Sequence, residues 1–210
     1  MSDEVKYESL FSTPLMRFHI ADHGDLNTEL LAEGARLRKI EEGVSKSNKG
    51  GWHSEGNLFS SNVPCIQKIR GAAENAVSAV TQKVTRSREH ESLRLKLFAW
   101  MNVSPQGALN APHTHPGAHW SGVYYVSQPK VETGTSGMIE FLDPRSDLPN
   151  WRILKAKAFR LKKRIRPAAG DLVIFPSYLV HWVYPNETGE DRVTIAFNAT
   201  FRKQRTSPAK

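Results

Sequence analysis

The chain has 210 residues, enough for one domain with a sizeable core. Hydrophobic residues make up 39% and charged residues 24%, a globular rather than a disordered composition, and no apolar stretch is long enough to span a bilayer. The formal charge of +8 is matched by one acid-free block at 151–166, where Arg152, Lys155, Lys157, Arg160, Lys162, Lys163, Arg164 and Arg166 fall together.

Such a block attracts an acidic substrate, a nucleic acid or an anionic surface, but only Trp151 and Phe159 interleave it, so single-stranded nucleic acid is weakly signalled. A solvated strand-and-loop face is the simpler reading. The N-terminus lacks a basic region followed by an apolar run, and the single Cys65 excludes an internal disulfide and a cysteine-rich zinc module. Both point to a cytoplasmic, non-membrane protein, with Cys65 as a small buried hydrophobe.

In chain order, residues 7–20 read as an extended edge strand with Pro14 near its start. From Asp25, a candidate N-cap, the spacing of Leu26, Leu30, Leu31, Leu37 and Ile40 predicts a helix to about Glu42, with Gly43 as its stop and Gly34 as an internal weak point. Residues 43–62 are rich in Gly, Ser, Asn and Lys and read as a long loop, a place where function often sits. Pro64 opens the clearest amphipathic helix, which runs to about Ser87 and should cover a sheet.

After Glu91 the texture becomes short strand candidates at 93–103, 110–115, 121–126, 137–142, 151–155, 164–175, 180–184 and 192–201. These predict an α+β chain: a helical preface at 1–90 packed on the sheet, a jelly-roll or small barrel core at 91–203 in the same single domain, and a disordered tail at 204–210.

Chemistry concentrates in the histidines. His113 and His115, two apart in an extended segment, share a face and can hold one ion. His181, after the turn and apolar run that begin at Gly170, is the candidate third ligand. An imidazole-rich site with open positions suits oxygen-activating non-haem iron, and zinc or copper are alternatives. His119, Glu140 and Asp143 compete for a ligand position, and His119 or Trp120 otherwise belongs at the cavity rim. Arg192 and Thr194 share a strand face, so a bidentate guanidinium and a hydroxyl can hold one carboxylate; the alternative is an Arg192 paired with Asp171 or Asp191. Tyr124, Tyr125 and Asn198 are candidates to line the same cavity.

Residues 97–201 resemble the iron(II)/2-oxoglutarate-dependent dioxygenase superfamily, which uses a double-stranded β-helix. Asn110–Tyr125, Gly137–Arg145, Gly170–Ser177 and Arg192–Asn198, together with Leu10–Pro14 and Gly51–Ser54, are similar to an uncharacterised oxygenase branch found in bacteria and phages. His113, His181 and Arg192 match the superfamily's first histidine, distal histidine and cosubstrate arginine. His115 departs from it, standing where the pattern has Asp or Glu. The three-histidine cupins are a rival resemblance through Gly107–His115 and Gly170–Pro176, but they lack the arginine and their glutamate is missing here.

The resemblance implies a hydroxylase-type dioxygenase that couples oxidative decarboxylation of 2-oxoglutarate to oxidation of a small molecule or protein side chain. It implies Fe(II) on His113, His115 and His181, 2-oxoglutarate held by Arg192 and Thr194 with Tyr125 and Asn198 nearby, ascorbate as an optional helper, and is compatible with a homodimer. A three-histidine cupin dioxygenase or isomerase, or a non-catalytic binding module, are the other readings. With ordinary imidazoles, metal affinity should fall as the pH drops through about 6.5.

Overall fold

A computed structural model of the chain describes residues 6, 8, 10–145, 153 and 156–204. Among them eleven strands and two α-helices form the fold: β1 (Met16–His19), α1 (His23–Ile40), β2 (Asn48–Lys49), β3 (Trp52–His53), α2 (Pro64–Thr85), β4 (Arg94–Ser104), β5 (Leu109–His113), β6 (Trp120–Ser127), β7 (Ile139–Leu142), β8 (Lys162–Ile165), β9 (Asp171–Pro176), β10 (His181–Val183) and β11 (Arg192–Arg202). Pairing is antiparallel in a six-stranded sheet, β1-β9-β6-β11-β4-β3, and a five-stranded sheet, β2-β5-β10-β7-β8. The two make a double-stranded β-helix with helices on one side, an α+β fold.

Alternation along the strands divides the interior in two. Ala99, Met101 and Val103 of β4, Tyr124 and Val126 of β6, Leu172 and Ile174 of β9 and Val193, Ile195 and Phe197 of β11 join Leu30, Ile66, Ile69, Val77 and Val80 of the helices in the larger core. Tyr125, Val173, Phe175, Ile139, Phe141 and Val183 point the other way and fill the barrel. Gly34 sits in α1 because the helix presses on the sheet: a Cβ there would lie 2.6 Å from the Met101 sulfur.

Several boundaries differ from the sequence expectation. The first helix begins at His23, with Asp22 at the N-cap and Asp25 inside the first turn, where its charge suits the helix dipole. It ends at Ile40 with an extended Glu41, before Gly43. The expected loop 43–62 carries β2 and β3, one edge strand for each sheet. The expected strand 164–175 is two strands in different sheets, β8 and β9, because Pro167 cannot donate to a ladder and Gly170 turns the chain at φ +85°. The strand expected at 151–155 falls outside the described residues except Ile153, and so does the tail beyond Gln204.

The sheet is pinned where β6 crosses β11. Gly122 pairs with Phe197, and a Cβ at 122 would lie 2.2 Å from the end of the Phe197 ring. Gly122→Ala should therefore destabilise the fold by about 1–3 kcal/mol through overpacking, and adding Phe197→Leu should recover most of it. Urea unfolding midpoints of the two variants check this. A Gly122→Ala variant as stable as the wild type would mean that Phe197 yields freely.

Candidate metal centre

β5 ends at His113 and β10 begins at His181, and the two are direct cross-strand partners. His115 lies just past β5, held by its backbone N–H donating to the Ser177 carbonyl at 3.0 Å. The ring centroids are 4.3 Å apart for His113 and His181, 4.9 Å for His113 and His115, and 5.1 Å for His115 and His181. One nitrogen from each comes within 4.8 Å of the others. The Nδ1 atoms of His113 and His181 meet the carbonyls of Ala111 (2.7 Å) and Leu179 (2.8 Å). Carbonyl oxygens only accept, so both Nδ1 atoms carry the hydrogen and both Nε2 lone pairs are left for a metal.

The competing ligands are elsewhere. Glu140, on the opposite face of β7 from Ile139 and Phe141, pairs with Arg164 at 2.8 Å and Lys162 at 3.6 Å. Asp143 binds Arg145. His119 accepts from the Phe201 N–H at 3.2 Å, and Trp120 donates to Thr81 on α2 at 3.0 Å, which places it in the helix-side core rather than at the cavity rim. Among the described residues the three histidines form the one metal-competent cluster, and it contains no carboxylate.

A pocket of about 470 Å³, part of it open to solvent, runs from these histidines to Arg192 and Thr194 and is walled by Tyr125, Ile139 and Phe175. Arg192 is 2% exposed. Its Nε donates to Gln128 Oε1 at 2.9 Å and its guanidinium lies 5.2 Å from the Tyr125 ring centroid. The acids it was weighed against are engaged otherwise: Asp171 with Arg17 and His19, Asp191 with Arg38. No carboxylate of the described residues pairs with Arg192. Among the described residues the Asn102 Oδ1, buried on this pocket, has no hydrogen-bond partner, and the Tyr125 hydroxyl has none but the Arg192 guanidinium. A buried cation with no acid and an orphaned polar atom on the same pocket fit a polar, anionic ligand.

Thr194 and Tyr125 line this pocket with Arg192. Asn198 does not: its Oδ1 accepts from Ser121 and it lines a neighbouring groove rather than the Arg192 end. Tyr124 points into the helix-side core, bonded to Asn27 at 2.6 Å, and burial pushes its hydroxyl up to about 12. Cys65 is buried, and burial raises its thiol, so it is no nucleophile. Gln128, Asn102 and Ser47, which reaches His113 Nε2 at 3.5 Å, were not foreseen. Alternation along β4 would have shown that Asn102 shares a face with Trp100; Gln128 lies beyond its strand and carried no signal. Of the basic block, Lys162 and Arg164 flank Glu140 and lie over the rings of Trp182 and Tyr184, while Arg166 binds the Gly134 carbonyl.

Residues 98–198 match the family model described as "Putative 2OG-Fe(II) oxygenase". Over those residues, just under half of the chain, the β-helix is similar to the 2OG-Fe(II) oxygenase superfamily. Enzymes of this superfamily use iron(II) and 2-oxoglutarate, and the neutral nitrogen donors facing a buried unpaired arginine fit both groups. Several solved structures share the fold. A Pseudomonas putida prolyl-4-hydroxylase is 17% identical, with 92% of this chain and 95% of that one covered and a TM-score of 0.66. The epimerase SnoN from nogalamycin biosynthesis is 16% identical over 89% and 76% of the chains, TM-score 0.62. HygX from Streptomyces hygroscopicus, solved with nickel, 2-oxoglutarate and hygromycin B, is 12% identical over 90% and 83%, TM-score 0.60. No curated protein is similar to the chain in sequence. No helix of the described residues is long and apolar enough to cross a membrane.

The site keeps its histidines neutral. Burial, aided by the neighbouring imidazoles, pushes His181 down to about 3 and His115 to about 4, and burial also lowers His113. Proton competition for a metal should therefore begin well below the ordinary imidazole value of about 6.5, which corrects the sequence expectation. In the metal-free protein the unfolded chain takes up protons that the folded state refuses. Stability should thus fall as the pH drops from about 6.5 towards 4, by about 1.4 kcal/mol per pH unit for each proton of difference. Urea unfolding of the metal-free protein across this window checks it, and His181→Asn should flatten the slope. A slope unchanged by that substitution would place the titration elsewhere.

Proposed function

We propose that His113, His115 and His181 hold the iron(II) of this oxygenase and that Arg192, with Thr194 and Tyr125 beside it, anchors the far carboxylate of 2-oxoglutarate. The observation that carries the reading is the buried, acid-free guanidinium at the opposite end of one pocket from three converging imidazoles. The bound pair supplies oxygen activation, with 2-oxoglutarate decarboxylated to succinate as a substrate is oxidised. The chain's part is positional. The Ala111 and Leu179 carbonyls fix two ring orientations, and Ile139, Phe175 and Val183 keep the cavity apolar. Arg192, always charged and backed by Gln128, gives a carboxylate a fixed two-pronged partner.

The reaction proposed is a hydroxylation of a small molecule or protein side chain in the cytoplasm, by a single domain spanning 1–203. Iron and Arg192 are both needed, so a three-histidine cupin without 2-oxoglutarate is the weaker reading, and so is a non-catalytic module. The positive block at 151–166 favours acidic partners by its field. Because Lys162, Arg164 and Arg166 are engaged within the chain, it adds no specific nucleic-acid reading.

Arg192→Met separates a ligand-binding arginine from a structural one. The cosubstrate should bind more weakly by about 2–5 kcal/mol, at least about 30-fold in Kd. The metal-free protein should be no less stable than wild type, since an apolar side chain replaces an unpaired buried charge. Anaerobic Fe(II) titration with 2-oxoglutarate, read through the visible metal-to-ligand charge-transfer band, gives the first quantity and urea unfolding the second. Lost stability with unchanged 2-oxoglutarate affinity would make Arg192 structural; no band in the wild type would return the protein to the cupin reading.

A further inference from the structure

Beside the histidine cluster lies a second cavity of about 1100 Å³ that is open to solvent, shares Ser47, Trp100, His113 and His115 with the first, and is not lined by Arg192. Its wall is aromatic. The rings of His53 and Trp100 stack with centroids 5.4 Å apart and planes 9° apart, and Phe98 extends the wall at 6.3 Å from Trp100 while 44% exposed. Exposed aromatic faces of this kind accept another ring.

The charge of the groove has one sign. Lys46 is the one formally charged residue lining it, and among the described residues no Asp or Glu does. Glu55, adjacent in sequence to two lining residues, keeps its charge but is not itself among the lining residues; its Oε1 accepts from the Gly43 N–H at 3.1 Å. Lys46 is close enough that its charge, after burial, helps to lower His53. Asn198 has its Oδ1 occupied by Ser121, so its amide N–H group is what it can offer a ligand. Lys46 and Asn198 thus present donors, while Ser47 and Thr114 hydroxyls serve either role.

We infer that this groove binds the oxidised substrate, and that the substrate is a small molecule carrying an apolar or aromatic ring and an anionic group rather than an amine. The ring lies against Phe98 and Trp100, next to His115; the anion lies towards Lys46. A cationic substrate would meet a lysine and no counter-charge. The inference rests on the proposed placement of the metal at the three histidines.

Indole-3-acetate and tryptamine share one ring and carry opposite charges, which makes them the probes. Each is titrated calorimetrically into metal-free protein and again into protein loaded with Zn(II) and 2-oxoglutarate. Indole-3-acetate should bind about fivefold or more tightly than tryptamine. Lys46→Glu, a change at an exposed side chain, should reverse that order, and Phe98→Ala should weaken both probes. Equal or tighter binding of tryptamine, binding of neither at millimolar concentration, or an order indifferent to Lys46→Glu overturns the inference. The Fe(II) and 2-oxoglutarate charge-transfer band, measured on the same preparation, reports separately on the metal placement. Its loss with charge-selective binding intact would sink the placement and leave the groove as an acid-binding site.

Discussion

The whole site hangs from the two-residue alternation along β11. This strand pairs with β4 over eleven positions and with β6 over seven, so neither its depth nor its register can shift alone. Val193, Ile195, Phe197 and Ala199 turn to the helices. Arg192 and Thr194 must then turn to the barrel, where a guanidinium would not otherwise be carried. A slip by one residue would bury Val193 in the pocket and drive Arg192 into the apolar core. The helix-side packing therefore does more than stabilise: it compels a cation to stay inside. The same rule on β6 sends Tyr124 to the helices and Tyr125 to the cavity.

The cavity is electrostatically incomplete by construction. It contains one buried guanidinium whose charged form burial disfavours, three imidazoles kept neutral, and a phenol that burial raises against the opposing charge of Arg192. Nothing negative from the described chain enters it. With His115 in place of a carboxylate, a divalent ion here would receive no compensating charge from its protein ligands. A dianionic cosubstrate would supply the negative charge that the imidazoles and Arg192 lack, so a metal and that dianion would complement the cavity better together than either alone.

The sequence carried the parts of this arrangement that depend on local rules. His113 and His181 were legible because each lies at a strand end, and Arg192 and Thr194 because they are two apart in an uninterrupted strand. His115 lies past the end of β5 yet stands beside His113 and His181; the backbone bond to Ser177, a long-range contact, holds it there. Asn198 shows where alternation fails as a guide: it shares the Arg192 face but stands six residues along, which carries it past the histidines to the other groove. Trp120 and Tyr124 could not be assigned to a face without knowing which side the helices cover. The split of 164–175 was written in Pro167 and Gly170, a pair that outweighs the apolar run following it.

Fold likeness to a prolyl hydroxylase, an epimerase and an enzyme crystallised with hygromycin B leaves the substrate open, since one β-helix serves all three. The segment between the two helices contributes side chains to both cavities. β2 and β3 are too short to stabilise themselves, yet each caps a different sheet, and the residues around them bring Lys46, Ser47 and His53 to the mouth of the metal pocket. Their backbone is tied down by Asn48, whose side chain binds Val44, Lys46 and Gly51 at once. Trp52, Leu58 and Phe59 tie this segment to the helix-side core, whereas Lys46, Ser47 and His53 stand outside it, so those three side chains can change without disturbing the ladder that holds Arg192. The groove and the Arg192 pocket thus rest on separable constraints, one from polar loop contacts and the other from strand register.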